Sequence, residues 1–220
     1  MEGLNGKALA AYKGRLILQP EQRHLLIGSL LGDGCLRFPG RSHHANLTVE
    51  HGEEQKEYVW YKYERLREWV LTPPRNVVRT YHKDRTRSLG SWRFSTITHP
   101  VFTDYHTLFY RDGAKVVPSN LCDLVEDPLT LAIWLMDDGS KNKDVLFLST
   151  QNFTSQEQQQ LCECLRRRFG IDATVNFHSH GKTRKLYRIR LTRAGSLQAA
   201  RLVAPYVVAS LSYKFSAIPL

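Results

Sequence analysis

Apolar and polar positions along the chain predict the same order of elements twice. In the first half, apolar residues recur at helical spacing, then alternate with polar residues as in strands, and this order repeats before a closing helix. Within the middle helix, Val59, Tyr63, Leu66 and Val70 form the apolar stripe. The predicted segments are the helix PEQRHLLIGSLLGDG, the strands CLRF and ANLTVEH, the helix EEQKEYVWYKYERLREWV, the strands NVVRTYHK and SWRFSTI on either side of the turn-rich DRTRSLG, and the closing helix HPVFTDYHTLFYRDG.

The second half repeats this order with clearer helix boundaries. Asp127 is a suitable N-cap before Pro128, and Gly139 ends the same helix. Thr154 and Glu157 have the spacing of a capping box. The segments are the helix EDPLTLAIWLMDDG, the strand DVLFLST, the helix TSQEQQQLCECLRRRFG with Gly170 as its stop, the strands TVNFHSH and KLYRIRL, and a final helix from AGSLQAARLVAP onward.

The repeated pattern predicts an α+β protein made of two tandem αββαββα subdomains. We expect an N-terminal extension at 1–20, a first subdomain at 21–117 and a second at 118–220. No run of about 18 apolar residues is present, and the N-terminus lacks the order of a secretory signal. We therefore expect a soluble intracellular protein of the cytoplasm, nucleoid or an organelle matrix, with no membrane partner. Its four cysteines lack paired metal-ligand spacing, which favours free buried thiols.

The net charge of +10 is confined to two short windows. Residues 79–93 hold five basic residues and one acid, and residues 173–193 hold six basic residues and no acid. Each window covers the second strand pair of its half. In KLYRIRLT, Arg188 and Arg190 share one strand face while Ile189 and Leu191 share the other. A basic two-stranded ribbon can enter the DNA major groove, so double-stranded DNA is the favoured partner; the alternative is a solvated sheet face.

Two apolar helices end in the unusual order Asp-Gly, in LIGSLLGDG and in LAIWLMDDG. A carboxylate near a helix C-terminus is unfavourable by a few tenths to about 1 kcal/mol. Asp33 and Asp138 both lie at such an unfavourable position. A local destabilising feature that recurs in both halves is expected at a functional site. Gly28 and Gly32 leave room for a close approach between the two helices, with Ala132 as the expected small contact. The alternative is an ordinary surface turn at each helix end.

Packing the two helices together would bring like charges together and would call for a cation. Oxygen ligands of this kind suit Mg²⁺, which can polarise a phosphodiester and activate water. Lys115 and Lys214 follow the closing helix of each half at parallel positions, so they are the candidates for stabilising developing charge.

These residues resemble the LAGLIDADG homing endonucleases, in particular the single-chain members with two motif copies. The resemblance extends from about Gln22 to Phe215. LIGSLLGDG and LAIWLMDDG match the two signature nonapeptides, with Asp33 and Asp138 at the catalytic position. GAKVVPSNL and LSYKF look like the regions of the active-site lysines, and LSTQNFT is similar to the strand after the second motif.

The resemblance implies a monomer of two subdomains related by pseudo-two-fold symmetry, each with a four-stranded antiparallel saddle that binds DNA. It implies cleavage of both strands of a long asymmetric site with short 3′ overhangs. Asp33, Asp138, Lys115 and Lys214 would be catalytic. Mg²⁺, for which Mn²⁺ can substitute, would be held by Asp33, Asp138 and the backbone carbonyls of Gly32 and Asp137. The residues expected to bind DNA are Arg37, Arg79, Lys83, Arg85, Arg87, Arg93, Lys141, Lys143, Gln151, Lys182, Arg184, Lys185, Arg188 and Arg190.

Two other functions fit the same fold. An RNA maturase that assists splicing of its own intron would need the basic saddle but not the two aspartates. A DNA-binding regulator that has lost cleavage would lack a motif aspartate or an active-site lysine, and here all four residues are present.

Overall fold

The computed structural model describes residues 6–81, 84–181 and 185–216, with side chains at all of these positions except 79–81 and 84–89. The described chain forms two compact units. The first contains the residues up to Arg23 together with Asp33–His106, and the second contains His24–Gly32 together with the residues from Thr107 onward.

The first unit is built around a four-stranded antiparallel sheet with the order β1-β2-β4-β3. Its elements follow the predicted order, but the helices are shorter than predicted: α2 ends at Leu31, before Asp33, and α3 ends at Arg65. The elements are α1 (Gly6–Lys13), α2 (Pro20–Leu31), β1 (Cys35–Arg37), β2 (Asn46–Gly52), a 3₁₀ turn (Glu53–Gln55), α3 (Lys56–Arg65), a 3₁₀ turn (Arg67–Trp69), β3 (Arg75–Tyr81), β4 (Asp84–Ser95) and α4 (Pro100–Phe109).

A predicted turn in this unit was also wrong. The segment DRTRSLG, expected to be a turn, belongs to the long strand β4. Its backbone pairs with β3, for example Arg79 with Leu89 and Thr80 with Ser88. Strand pairing of this kind overrides local composition, because a sheet neighbour satisfies the backbone groups whatever the turn propensity of the residues.

The second unit has the same sheet order, β7-β8-β10-β9, again antiparallel throughout. Its elements are β5 (Tyr110–Arg111), β6 (Ala114–Lys115), α5 (Leu121–Leu124), α6 (Pro128–Asp138), β7 (Gly139–Asn142), β8 (Val145–Leu148), α7 (Ser155–Phe169), β9 (Ala173–His180), β10 (Lys185–Leu191), α8 (Arg193–Val203) and two 3₁₀ segments (Ala204–Tyr206 and Ala209–Lys214). The predicted α+β class with two four-stranded antiparallel sheets is confirmed.

Helix boundaries in the second unit follow the predicted capping residues. Asp127 accepts a hydrogen bond from the backbone of Leu129, and Thr154 and Glu157 form a reciprocal capping box. Gly170 ends α7 with φ of 64°, a conformation that glycine adopts without strain. Gly139 ends α6 differently: its φ is −73°, and glycine is required because a Cβ there would overlap the carbonyl of Leu135.

The helix predicted over HPVFTDYHTLFYRDG is shorter than expected. It ends at Phe109, and the remaining residues form the β5–β6 hairpin. Asp112 and Gly113 form its two-residue turn with φ of 50° and 77°. Positive φ at both central residues is the requirement of a type I′ hairpin turn, for which Asp-Gly is a strong local signal.

The second unit is centred on α6, which packs against the part of α2 that belongs to this unit. Eight consecutive residues of α6, Leu129–Met136, are buried. Gly28 is the contact on α2: a Cβ at this position would lie 2.6 Å from the backbone oxygen of Thr130 and 2.7 Å from Cβ of Ile133. The predicted close approach is therefore present, but Thr130 and Ile133 provide the opposing surface where Ala132 was expected.

The four cysteines are free, as expected, but only Cys164 is buried and the other three are partly exposed. Burial raises the pKa of Cys162 to about 11, which keeps this thiol protonated and unreactive at neutral pH. Within the described part of the chain, no helix is both long enough and apolar enough to cross a membrane.

The contact at Gly28 predicts a specific loss of stability. Gly28→Ala should lower the free energy of unfolding by about 1–3 kcal/mol, since the added methyl group meets helix backbone that cannot move aside. Gly6→Ala is the matched control, because a Cβ at Gly6 meets no atom within 4 Å. Urea denaturation measures both; equal stability of the two variants would contradict the packing described here.

Candidate metal centre and nucleic-acid interface

In the second unit, two lysines donate hydrogen bonds to backbone carbonyls at the ends of the two motif helices. Lys115 Nζ lies 2.5 Å from the carbonyl oxygen of Gly32, the residue that precedes Asp33. Lys214 Nζ lies 3.2 Å from the carbonyl oxygen of Asp137, the residue that precedes Asp138, and 2.6 Å from that of Met136. Both cations face the negative end of a helix, where positive charge is stabilised.

The two lysines reach equivalent carbonyls from different local structures. Lys115 lies on β6, paired with Tyr110 across the type I′ hairpin. The chain after it is fixed by a hydrogen bond from the backbone of Val117 to the side chain of Glu157. Lys214 ends a 3₁₀ segment and is only 8% exposed. Both residues were candidates from the sequence, although the hairpin that carries Lys115 was not predicted.

Glu157 is held as a carboxylate in this arrangement. Burial alone would raise its pKa, but hydrogen bonds from the side chain and backbone of Thr154 and from the backbone of Val117, with the charge of Arg111, lower the pKa below its usual value. The segment that follows Lys115 is therefore tied to the start of α7 by an ionised group.

The end of α2 is in contact with the side chain of Asp137. A Cβ at Gly32 would overlap Cβ of Asp137 and lie 2.6 Å from its Oδ2. The sequence suggested only the backbone carbonyl of Asp137 as a metal ligand, so this side-chain position is an addition. Asp137 and Asp138 are both partly exposed.

In the first unit, Asp33 lies beside two buried residues that the sequence analysis missed. Its side chain is 51% exposed, and its Oδ2 is 3.7 Å from Nδ1 of His51, whose side chain is 3% exposed. Nε2 of His51 is 3.5 Å from Nζ of Lys62, which is fully buried. A signal for Lys62 existed: it lies three residues after Val59 and four before Leu66, within the apolar stripe of α3.

The donor sets at the two motif ends fit a small divalent cation. Asp33, Asp137 and Asp138 offer carboxylate oxygens that are at least partly accessible. The carbonyl oxygens of Gly32 and Asp137 each accept a lysine hydrogen bond, and a carbonyl has a second lone pair for another partner. Accessible oxygen donors without sulfur are the preference of Mg²⁺ and similar hard ions.

One face of the first sheet carries a pre-arranged cluster of polar side chains. Arg93 lies 4.0 Å from Glu50, and Glu50 in turn accepts a hydrogen bond of 2.7 Å from Ser91. Arg75 pairs with Arg93 across the strands and is exposed. Arg75 was not predicted, because it lies outside the basic window; Arg37 on β1 is exposed, as a DNA contact requires.

The second sheet shows the predicted separation of faces. Ile189 and Leu191 are buried, whereas Arg190 is exposed. The guanidinium of Arg188 stacks 4.0 Å from the ring centre of Phe147. This face of the sheet therefore presents positive charge, and the ring of Phe147 fixes the position of the Arg188 guanidinium.

The other residues predicted to bind DNA in this unit are placed less uniformly. Lys141 pairs with the buried Leu146, so it lies on the helix-packed face, and its Nζ donates to Ser216 at 2.8 Å. Lys143, with φ of 55°, is exposed in the β7–β8 turn. Lys185 is exposed at the start of β10, and Gln151 is partly exposed after β8.

Several predicted contacts lie outside the described residues. These are Lys83, Lys182 and Arg184. Arg79, Arg85 and Arg87 are described only as backbone within β3 and β4, so the positions of their side chains remain predictions.

Comparison with known proteins identifies the family. The sequence pattern of the LAGLIDADG DNA endonuclease family matches residues 23–197, which include both motif helices and both sheets. The chain belongs to this family. The family and the endonuclease function expected from the two motifs are thereby confirmed.

Individual relatives of this LAGLIDADG protein match over most of the chain. The chain is 29% identical over 200 residues to the cytochrome b mRNA maturase bI2 of Debaryomyces hansenii, covering 90% of this chain and 74% of the relative. It is 28% identical over 221 residues to the probable intron-encoded endonuclease 1 of Wickerhamomyces canadensis, covering 96% and 91%. A solved structure of the homing endonuclease I-WcaI bound to its DNA recognition sequence has a TM-score of 0.87 at 26% identity, over 99% of this chain and 96% of that chain.

Proposed function

We propose that this protein is a site-specific homing endonuclease that makes a metal-dependent double-strand break in a long asymmetric DNA site and leaves short 3′ overhangs. The observation that carries the proposal is the matched pair of lysines. Each donates to the carbonyl that precedes a motif aspartate, Lys115 before Asp33 and Lys214 before Asp138. A family member that no longer cleaved DNA would have no need to keep both arrangements.

Each motif aspartate would hold a divalent cation, and the two lysines would act on the reacting phosphate. Bound Mg²⁺, or Mn²⁺ in its place, would polarise the phosphodiester and lower the pKa of an attacking water. Asp33 and Asp138 supply carboxylate ligands, with the carbonyls of Gly32 and Asp137. Lys115 and Lys214 stabilise the charge that develops on the phosphate oxygens.

The basic sheet faces provide the grip on double-stranded DNA. Arg75 and Arg93 in the first sheet, and Arg188 and Arg190 in the second, project from strands whose opposite face packs on helices. A rigid sheet fixes these side chains relative to the DNA backbone and grooves, so that charge contacts position the duplex and base-edge contacts select its sequence.

The direct test of the function is a selection of the target. The protein is incubated with Mg²⁺ and a randomised plasmid library, and the cut ends are sequenced. Staggered ends with 3′ overhangs at one long consensus support the proposal; uncut plasmid, or cuts at unrelated sequences, contradict it.

RNA maturation is a second candidate activity, favoured by the similarity to the Debaryomyces hansenii maturase. The basic sheet faces would serve intron RNA, but the metal-binding aspartates would not be needed. Splicing assistance that survives in Asp33→Asn and Asp138→Asn would separate this activity from DNA cleavage.

Removing either motif carboxylate should separate cleavage from binding. Asp33→Asn or Asp138→Asn should abolish double-strand cleavage, because the amide keeps the shape of the side chain but loses its charge for the cation. Site-specific binding, measured by gel shift in Ca²⁺, should be largely intact. Wild-type cutting by either variant would remove that aspartate from the mechanism.

Replacing either lysine should slow cleavage with little effect on binding. Lys115→Met or Lys214→Met should lower the single-turnover rate by roughly 10²–10³, the usual cost of losing one charge-stabilising donor. Lys7→Met on the exposed face of α1 is the control and should cut like the wild type. An unchanged rate for a site-lysine variant would exclude that lysine.

Binding to the selected duplex should weaken steeply with salt through phosphate contacts. Arg190→Ala should reduce the slope of log affinity against log salt by about 1 if this side chain contacts a phosphate. Arg166→Ala is the control, since Arg166 is exposed on α7 and paired with Glu163. A salt-independent affinity of the wild type would contradict the sheet-face assignment.

A further inference from the structure

Lys62 is an unusual residue for the interior of the first unit. It is fully buried on α3, between Tyr58 and the end of β2. Lysine is almost never fully buried unless it is paired, because removing an ammonium group from water is costly. Its Nζ lies 4.5 Å from the ring centre of Tyr58 and 3.5 Å from Nε2 of His51. A packing role alone would be served better by methionine or leucine.

The contact with Lys62 fixes the protonation pattern of His51. An ammonium group has three hydrogens to donate and no lone pair to accept with. With Lys62 as the donor, Nε2 of His51 is the acceptor and the ring proton is on Nδ1. Nδ1 is the atom that faces Oδ2 of Asp33, at 3.7 Å. The Nδ1 hydrogen thus points a donor at the motif carboxylate.

This pattern argues against His51 as a metal ligand. A histidine that binds a metal presents an unprotonated nitrogen to it and donates its other N–H to an acceptor. Lys62 imposes the reverse arrangement, with the acceptor nitrogen turned inward and the donor turned to Asp33. The distance of 3.7 Å is slightly beyond a hydrogen bond, and contacts at catalytic groups are commonly long before substrate binds and tighten afterwards.

We propose that His51 and Lys62 are positioning residues for Asp33, with Lys62 locking the ring tautomer and His51 holding the carboxylate in its metal-binding orientation. The inference rests on the proposed nuclease function and extends it. Neither residue touches the reacting phosphate in this account. Tyr58 completes the arrangement, because its ring lies 5.0 Å from that of His51 and limits the ring's rotation.

The second half has a different residue at the place of His51. Strand pairing shows which positions of the two halves are equivalent. Cys35 and Ser140 each lie two residues after a motif aspartate; Cys35 pairs with Thr48 and Ser140 with Phe147, so Thr48 and Phe147 are equivalent. His51 lies three residues after Thr48, and three residues after Phe147 is Thr150.

Like His51, Thr150 contacts a buried polar residue of the helix that follows it. Thr150 is fully buried, and Gln158, 2% exposed on α7, donates from Nε2 to its carbonyl at 3.1 Å. Both residues are neutral, and the hydroxyl of Thr150 accepts a hydrogen bond from the backbone of Ile189. At this place the first half has an imidazole and an ammonium group and the second half has neutral groups, so the two strands of the DNA should depend on His51 and Lys62 unequally.

The tautomer can be tested without any DNA. Long-range ¹H–¹⁵N correlation spectra distinguish the two neutral imidazole forms, and His51→Thr identifies the signal by its loss. The wild type should show His51 protonated on Nδ1, both alone and with Mg²⁺ added, and Lys62→Met should lose this fixed form. An Nε2-protonated ring in the wild type, or displacement of the Nδ1 proton by Mg²⁺, overturns the proposal.

The functional test replaces His51 and Lys62 with neutral polar residues. The double variant His51→Thr/Lys62→Gln uses two residue types that the second unit buries at Thr150 and Gln158. On the DNA site selected from the library, labelled on each strand in turn, one strand should be cut about 10–100-fold more slowly, the usual cost of losing a group that orients a metal ligand. Nicked duplex with its break on the other strand should accumulate.

Thermal stability and DNA affinity in Ca²⁺ are measured on the same variant, and both should match the wild type. The single variant His51→Asn should cut faster than the double variant, because the asparagine amide places a donor near the position of Nδ1. Equal slowing of both strands, or wild-type rates on both, overturns the inference. If the wild type itself fails to cut, the proposed function fails, while the tautomer measurement still decides the role of Lys62.

Discussion

The close contact between α2 and α6 is the constraint on which the rest of the structure depends. Because Gly28 has no side chain, α2 can approach Thr130 and Ile133 of α6 closely. Gly32 allows the same close approach to Asp137. A side chain at either position would force the helices apart. Because Lys115 and Lys214 reach the ends of these two helices by direct hydrogen bonds, such a separation would also move both lysines from their carbonyls.

Charge at the helix ends explains why these positions carry the residues they do. A helix C-terminus with carboxylates beside it is unfavourable unless positive charge is supplied. Part of that charge is in the protein, as the two site lysines, and the proposed cation supplies the remainder. The two halves differ in their buried polar residues: the first has His51 and Lys62 in contact near Asp33, and the second has neutral Thr150 at the position of His51, with Gln158 donating to its carbonyl.

Local signals predicted much of this from the sequence. The capping residues, the apolar stripes and the duplicated Asp-Gly helix ends each depend on a few neighbouring residues, so they could be interpreted directly. The features that were missed depend on distant partners. Lys62 lies on the apolar stripe of α3, where His51 and Tyr58 stabilise it. The DRTRSLG segment forms a strand because it pairs with β3, and Lys141 lies on the helix-packed face because it pairs with Leu146. The β5–β6 hairpin is the exception, because its Asp-Gly turn was a local signal that helical periodicity obscured.

The central claim is that the two motif ends hold divalent cations through Asp33 and Asp138. Calorimetric titration of Ca²⁺ into the protein bound to its selected DNA site tests this claim without relying on turnover. The account predicts saturable binding to the wild type that is strongly weakened in both Asp33→Asn and Asp138→Asn and unchanged in Lys7→Met. Equal Ca²⁺ affinity in the wild type and in both aspartate variants would contradict it.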